Sequence, residues 1–338
     1  MRQFYSFVFL IISVFTLFGQ ESPKREFRGA WLHVIGQSQY QNKTTAECKK
    51  YISQQMDKLL DAGCNAVIFQ IRPTADALYE SDIEEWSSWL TGKRGRKPNP
   101  YWDPLQYAID EAHKRGMELH AWLNPYRVTS SSKDILPANH LANTQPHRFI
   151  KFNGQTFFDP AYPENREYIA TIIRDIVSRY DIDAIHLDDY FYPYPNGNKR
   201  FKNDDASYQK FANGMNRDDW RRQNVDLLIE LLYSTIKSEK PWVRFGISPF
   251  GIWRNKKNDP RGSESTGLQN YDDLYADVLL WDKNGWIDYL APQLYWQLDL
   301  EAAPSRKLIQ WWNDNVVNAH LYIGQEVKRT MDTPDPLN

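Results

Sequence analysis

The stretch "PENREYIATIIRDIVSRYDIDAIHLDDY", residues 163–190, holds both patterns that decide the fold. Residues 163–180 read as a helix and residues 182–190 as a strand. Along that strand side chains alternate: Ile185 and Leu187 form an apolar set, so His186, Asp188 and Tyr190 share the other side. A helix running directly into such a strand is one unit of an α/β sheet.

The unit recurs along the chain. Strands are predicted at 27–35, 65–73, 117–126, 182–190, 243–253, 286–296 and 320–324, with helical patterns at 46–63, 103–116, 163–180, 219–239, 271–285 and 304–316. Gly63 and Gly116 serve as helix stops, and Asp103 followed by Pro104 is a helix start. Alternation of this kind predicts an α/β fold with a parallel sheet, a (β/α)8 TIM barrel rather than a doubly wound sheet. No glycine-rich phosphate loop follows the first strand, which weakens a nucleotide-binding reading. Residues after Gly324 carry no strand pattern, so the expected barrel is truncated before its eighth strand. The domain reading is a signal peptide over 1–20 and one barrel over 21–338.

Two insertions interrupt the alternation. Asn153-Gly154 between two apolar runs predicts a hairpin over 148–160, above the barrel between the third strand and its helix. Residues 196–219 form a long polar loop after the fourth strand, at the end where barrel loops build active sites.

Charge and composition narrow the function classes. The 338 residues carry a formal charge of -2, which offers nothing to nucleic acid or an anionic membrane. The chain has 13 Trp, 20 Tyr and 16 Phe, which is core material and also what a sugar-binding groove uses. "MRQ" and the apolar run 4–18, shorter than the ~20 residues of a membrane span, read as an export signal. The expected location is the periplasm or cell surface, with no stable membrane insertion after cleavage. Cys48 and Cys64 flank one helix, too far apart along it to bridge, and are expected free and buried.

The same alternation test applies to each strand. It turns Gln70 and Arg72 inward on the second, His120, Trp122 and Asn124 on the third, and His186, Asp188 and Tyr190 on the fourth. Gly246 and Ser248 turn inward on the fifth, and Gln293 and Tyr295 on the sixth. Arg72, Asn124, Asp188, Ser248, Gln293 and Tyr295 therefore converge on one mouth. Burying that many polar groups costs free energy unless they bind one another or a ligand. Asp189 follows just past the strand end, and its direction depends on the turn. Neighbouring carboxylates can split their pKa values, one staying ionised and one protonated, which is the division of labour of glycosidic cleavage. Asp188 and Asp189 are the candidate catalytic pair, with Asp76 as the partner if Asp189 turns away and Glu326 as a further acid near the mouth. Trp122, Tyr126, Tyr190, Tyr295 and Trp296 join Arg72, Asn124, Ser248 and Gln293 as candidate substrate-binding residues.

Taken in order, "FRGAWL", "FQIRPTADALYES", "HAWLNPYR", "FFDPAYPENREYI", "DAIHLDDYFYPYP", "FGISPFGIWRN" and "DYLAPQLYW" closely resemble the glycosyl-hydrolase-like family 10 proteins of bacterial envelopes. The resemblance implies a (β/α)8 barrel with glycosidase activity. In its best-understood branch it implies hydrolysis of peptidoglycan glycan strands already stripped of their stem peptides. It also implies an eighth strand and often a further C-terminal module. A weaker echo of the family 18 chitinases places Asp183, His186, Asp188 and Tyr190 at the positions of that family's acidic motif. Tyr190 stands where its acid would be, so its assignment does not transfer.

Three readings compete. The first is a retaining or substrate-assisted glycoside hydrolase acting on a cell-wall amino-sugar polymer. The second is a non-catalytic barrel that binds glycans, kept open by the absence of Glu at the ends of the fourth to sixth strands. The third is a hydrolase of another bond with a metal held by Asp188, Asp189 and a histidine, which no zinc-type spacing supports. The expected partner is a polysaccharide, and no cofactor or metal is expected.

Overall fold

A computed structural model describes residues 26–197 and 200–328, so the predicted signal segment lies outside the described residues. Seven strands form one parallel sheet: β1 (Gly29–Leu32), β2 (Ala66–Arg72), β3 (Glu118–Leu123), β6 (Ala184–Leu187), β7 (Arg244–Ile247), β8 (Tyr289–Leu290) and β9 (His320–Leu321). They neighbour one another in that order, and every pairing is parallel. The remaining two strands, β4 (Phe149–Phe152) and β5 (Gln155–Phe158), make the antiparallel hairpin expected from Asn153-Gly154. Both turn residues have positive φ, 48° and 76°, the conformation a two-residue hairpin turn needs.

Helices at Thr45–Asp61, Pro104–His113, Pro163–Arg179, Arg217–Glu239 and Ser305–Asn315 alternate with the strands. The Asp103 carboxylate accepts the Gln106 N–H at 3.0 Å, and Pro104 opens the helix behind it. The helical pattern over 271–285 is realised as two short helices, Asn270–Asp273 and Val278–Lys283. The polar loop after β6 carries a short helix, Asp205–Phe211, that the sequence reading did not predict.

The alternation sorts the core as expected. Val67, Phe69, Leu119, Ala121, Ile185, Leu187, Phe245 and Ile247 are buried with Ile172, Ile176, Leu228 and Leu232 of the covering helices. Each such large side chain withdrawn from water contributes roughly 1.5–3 kcal/mol, less at the size of alanine. The inward set meets across the sheet. Phe27 stacks on His120 and Tyr322, and the Trp31 indole N–H donates to His186 Nε2 at 3.2 Å. Contacts from Phe27 and Trp31, just before and within β1, to β3, β6 and the β9 edge require a strongly curled sheet, the TIM-barrel type. Among the described residues no backbone pairing closes β9 onto β1. Gly324 nevertheless lies where an added Cβ would stand 3.3 Å from the Trp31 ring.

One predicted orientation fails at β2. Its register with β3 slips between Gln70 and Arg72, and Arg72 pairs with Leu123, an outward residue. The slip turns Arg72 away from the axis. It is fully buried, chelated by Glu84 at 2.6 and 2.7 Å, with its last nitrogen on the carbonyls of Asn124 and Pro125. Cys48 is buried, Cys64 half-buried, and both are free.

Candidate active site

β6 ends at Leu187, and the chain turns at once. The Tyr190 N–H reaches back to Asp188 Oδ1 at 3.3 Å, and the Phe191 N–H to the Asp189 carbonyl at 3.1 Å. This tight turn defeats the alternation that would point successive side chains apart. Asp188 and Asp189 both line one cavity of about 630 Å³, with Trp31, Trp122, Tyr190, Ser248, Gln293 and Tyr295. Glu326, after β9, lines the same space.

The two carboxylates are held differently. Asp188 Oδ2 accepts the Asn124 amide and the Trp122 indole N–H, the latter at 3.2 Å. Asn124 is fixed in turn, because its Oδ1 accepts from Gln70 at 2.8 Å and from Arg127 at 2.5 Å. With its oxygen occupied twice, its nitrogen is left to donate to Asp188. Gln70 is anchored through the Val34 N–H, which donates to its Oε1 at 3.0 Å. The Arg127 guanidinium also lies 5.0 Å from the centre of the Tyr190 ring, so one buried cation serves both the carboxylate and an aromatic wall. Burial raises the Asp188 pKa, while Arg127 and the donors from Tyr190, Asn124 and Trp122 pull it back.

Asp189 accepts from the Tyr194 hydroxyl and the Gln293 amide. Burial, and then the negative charge of Asp188, push its carboxyl up to about 7. The result is a pair in which Asp189 keeps its proton near neutrality and Asp188 is the better-supported anion.

Beneath the pair the interior is a wired polar column. An indole N–H can only donate, so His186 Nε2 is the acceptor for Trp31, with the Ser248 hydroxyl also 3.0 Å away. Burial lowers the pKa of both His186 and His120, keeping them neutral. The proton then sits on His186 Nδ1, which donates to the Tyr289 hydroxyl at 2.8 Å, and that hydroxyl donates to His120 Nδ1 at 2.8 Å. Gly246 makes the column possible, since a Cβ there would fall 1.8 Å from the Tyr289 ring. Among the described residues no group of three His, Cys, Asp or Glu side chains could hold a metal ion.

The other candidate residues divide cleanly. The structure brings Trp122, Tyr190, Ser248, Gln293 and Tyr295 to the cavity, and it sets Asn124 directly behind Asp188. Arg72 is not there, for the register reason already given. Asp76 is tied within its own loop to the Thr74 hydroxyl at 3.0 Å and to Arg94 at 3.6 Å, and is not among the lining residues. Tyr126 lies past the end of β3 and is fully buried in the hydrophobic core. Trp296 packs edge-on to Phe250 and against Gly251 rather than on the cavity. Asp183 sits at the opposite end of β6, accepting the Leu119 N–H at 2.7 Å and pairing with His113. Trp31 and Arg127 were missed as site residues. Trp31 could have been found by the same alternation test on β1, whereas Arg127 lies past the end of β3, where the strand's period no longer applies.

The chain is 43% identical over 344 residues to glycosyl hydrolase YngK of Bacillus subtilis (strain 168), covering 97% of this chain and 67% of that protein. It is 40% identical over 327 residues to glycosyl hydrolase DigH of Escherichia coli (strain K12), covering 90% of this chain and 74% of that one. In fold it is similar to the glycoside hydrolase domain of PgaB (BpsB) from Bordetella bronchiseptica, with a TM-score of 0.51 at 12% identity, over 86% of this chain and 81% of that one. The sequence profile of the glycosyl hydrolase-like 10 family matches residues 26–336, and the chain belongs to that family.

Proposed function

We propose that the protein is a glycoside hydrolase cleaving an amino-sugar polymer, with peptide-stripped peptidoglycan glycan strands as the substrate. The observation that carries this is the Asp188–Asp189 pair, two neighbouring carboxyls facing one aromatic-lined cavity, both raised by burial, with Arg127 and three donors pulling back that of Asp188. Glycosidic cleavage needs a proton donor for the leaving oxygen and a negative charge for the oxocarbenium-like centre. Asp189, protonated near neutrality, gives its proton to the glycosidic oxygen as the C–O bond breaks. Asp188 faces the positive charge developing at the anomeric carbon, or the N–H of a sugar acetamido group whose oxygen attacks that carbon. Water then adds at the anomeric carbon and returns a proton to Asp189. Trp31, Trp122, Tyr190 and Tyr295 supply rings for the apolar faces of the sugars. Family membership supports hydrolysis of a carbohydrate. The choice of cell-wall glycan rests on the best-understood branch of the resemblance, and action outside the cytoplasm rests on the N-terminal apolar segment.

The test is mass spectrometry of denuded glycan strands incubated with the protein. Shortened strands carrying one added water per cut are the expected products. Intact strands, with binding retained, would instead establish a glycan-binding barrel.

A further inference from the structure

Two tyrosines follow the carboxyl pair, and they serve different ends. Tyr190 is among the residues that line the cavity and Tyr194 is not. The segment 190–195 sorts its side chains by anchoring. Phe191 and Tyr192 are buried, the first edge-on to Trp281, the second edge-on to Tyr275 and accepting the Asn224 amide at 3.2 Å. Pro193 and Pro195 flank Tyr194 and restrict its backbone. The Tyr194 ring stands 5.1 Å from the Tyr190 ring and 6.4 Å from that of Phe250, and its hydroxyl reaches back five residues to Asp189 Oδ2. Burial, and then the charge of Asp189, raise the Tyr194 pKa, so the phenol keeps its proton and is the donor in that bond.

Building on the glycosidase reading above, we infer that Tyr194 is a positioning residue for the proton donor: its hydroxyl fixes which oxygen of Asp189 carries the proton and holds the carboxylate left behind. A neutral carboxyl accepts through its carbonyl oxygen, so with Oδ2 receiving the phenol the proton belongs on Oδ1. As the glycosidic C–O bond breaks, its electron pair stays on the leaving oxygen, which takes the proton from Oδ1. Asp189 becomes a carboxylate beside Asp188, and the phenol bond to Oδ2 becomes charge-assisted, stronger than it was before the transfer. An interaction that strengthens along the reaction raises turnover rather than substrate affinity. Several other groups set the field in which Asp189 titrates. They are Asp188 and Tyr190 on its own turn, Arg127 behind Tyr190, His186 under Ser248, Tyr295 after β8, Glu326 after β9 and His33 after β1. Tyr194→Phe leaves all of these in place and deletes one donor.

The experiment compares the full chain with Tyr194→Phe, which keeps the ring, and with Tyr194→3-fluorotyrosine, a more acidic donor placed site-specifically. Two readings are taken: a carboxyl carbon-13 NMR titration of aspartate-labelled protein, and kcat and KM for denuded glycan strands as a function of pH. In Tyr194→Phe the Asp189 titration, about 7 in the wild type, and the alkaline limb of kcat should both move up by about one pH unit, because the ionised form has lost a donor. At its optimum kcat should fall on the order of tenfold to a hundredfold, with KM changed by less than about twofold. The fluorinated variant should move the titration and the limb the other way. A merely structural role would lower the melting temperature and leave the titration where it was. An Asp189 titration unmoved in Tyr194→Phe, or a loss carried by KM, would overturn the assignment of Tyr194. A wild-type protein that cuts no glycan would overturn the glycosidase reading and the role in proton transfer with it. The NMR titration needs no substrate, so it separates that outcome from a failure of Tyr194 to set the state of Asp189.

Discussion

Two buried acidic regions of this molecule differ in one respect that separates packing from chemistry. At Arg72, Glu84 is matched by a guanidinium at 2.6 and 2.7 Å, and every nitrogen of the guanidinium is hydrogen-bonded. At the barrel mouth, two carboxylates lie side by side, and the cation Arg127 acts on Asp188, bonding the Asn124 side chain that in turn donates to it. The first arrangement is balanced and closed to solvent. The second is under-compensated and opens on a cavity of about 630 Å³. Surplus buried charge is costly, and proteins retain it where it acts. The Arg221–Asp204 pair, with contacts of 2.7 Å each, belongs with the first kind and anchors the loop after β6.

The comparison breaks most visibly under substitution of the pair itself. Asp188→Asn and Asp189→Asn should each lower glycan turnover by about 10²–10⁴-fold, the range for a general acid or charge stabiliser, with cooperative melting retained. Unchanged turnover in both would show that the cavity acids are bystanders. Arg72→Met should do the opposite. Leaving Glu84 buried and unpaired costs roughly 3–5 kcal/mol of stability by chemical denaturation, and the cavity residues keep their places in whatever folds. If Arg72→Met melts like the wild type, the balanced pair is not a structural clamp. The smallest effect belongs to the rings: Trp122→Ala or Tyr190→Ala should weaken glycan binding by about 1 kcal/mol, several-fold in Kd. The Trp122 change also removes a donor to Asp188, so its loss should exceed that of Tyr190.

The barrel pattern was legible because each strand has an apolar side that must face the helices, and period two then assigns the other side to the axis. That logic carries Trp122, Asn124, Asp188, Ser248, Gln293 and Tyr295 to one mouth. It fails wherever the period is interrupted. The irregularity between Gln70 and Arg72 reverses Arg72 at the last residue of β2. Tyr126 lies beyond its strand, where a turn rather than a pleat sets direction. The direction of Asp189 was open for the same reason, and the turn at 188–191 brings it back to the cavity. Arg127 carries no period of its own. Its place follows from tertiary contacts with Pro73, Asn124 and Tyr190 that no local pattern encodes.

The central claim is that Asp189 holds a proton near neutrality while Asp188 is the supported anion. The most direct measurement is a carboxyl carbon-13 NMR titration of aspartate-labelled protein, with Asp189→Asn assigning the resonance. The account predicts an aspartate titrating at about 7 that disappears in the variant, while the resonance of Asp226, which burial raises to about the same value, remains. It also predicts a stability consequence with a definite sign. A carboxyl whose folded pKa is raised above its unfolded value of roughly 3.9 makes the folded state lose stability as pH rises from about 4 to about 7. Asp189→Asn should therefore melt higher than wild type above pH 7 and show no such advantage near pH 4. An Asp189 resonance that titrates at the ordinary aspartate value, with no pH-dependent gain in the variant, would contradict the division of labour on which the proposed chemistry stands.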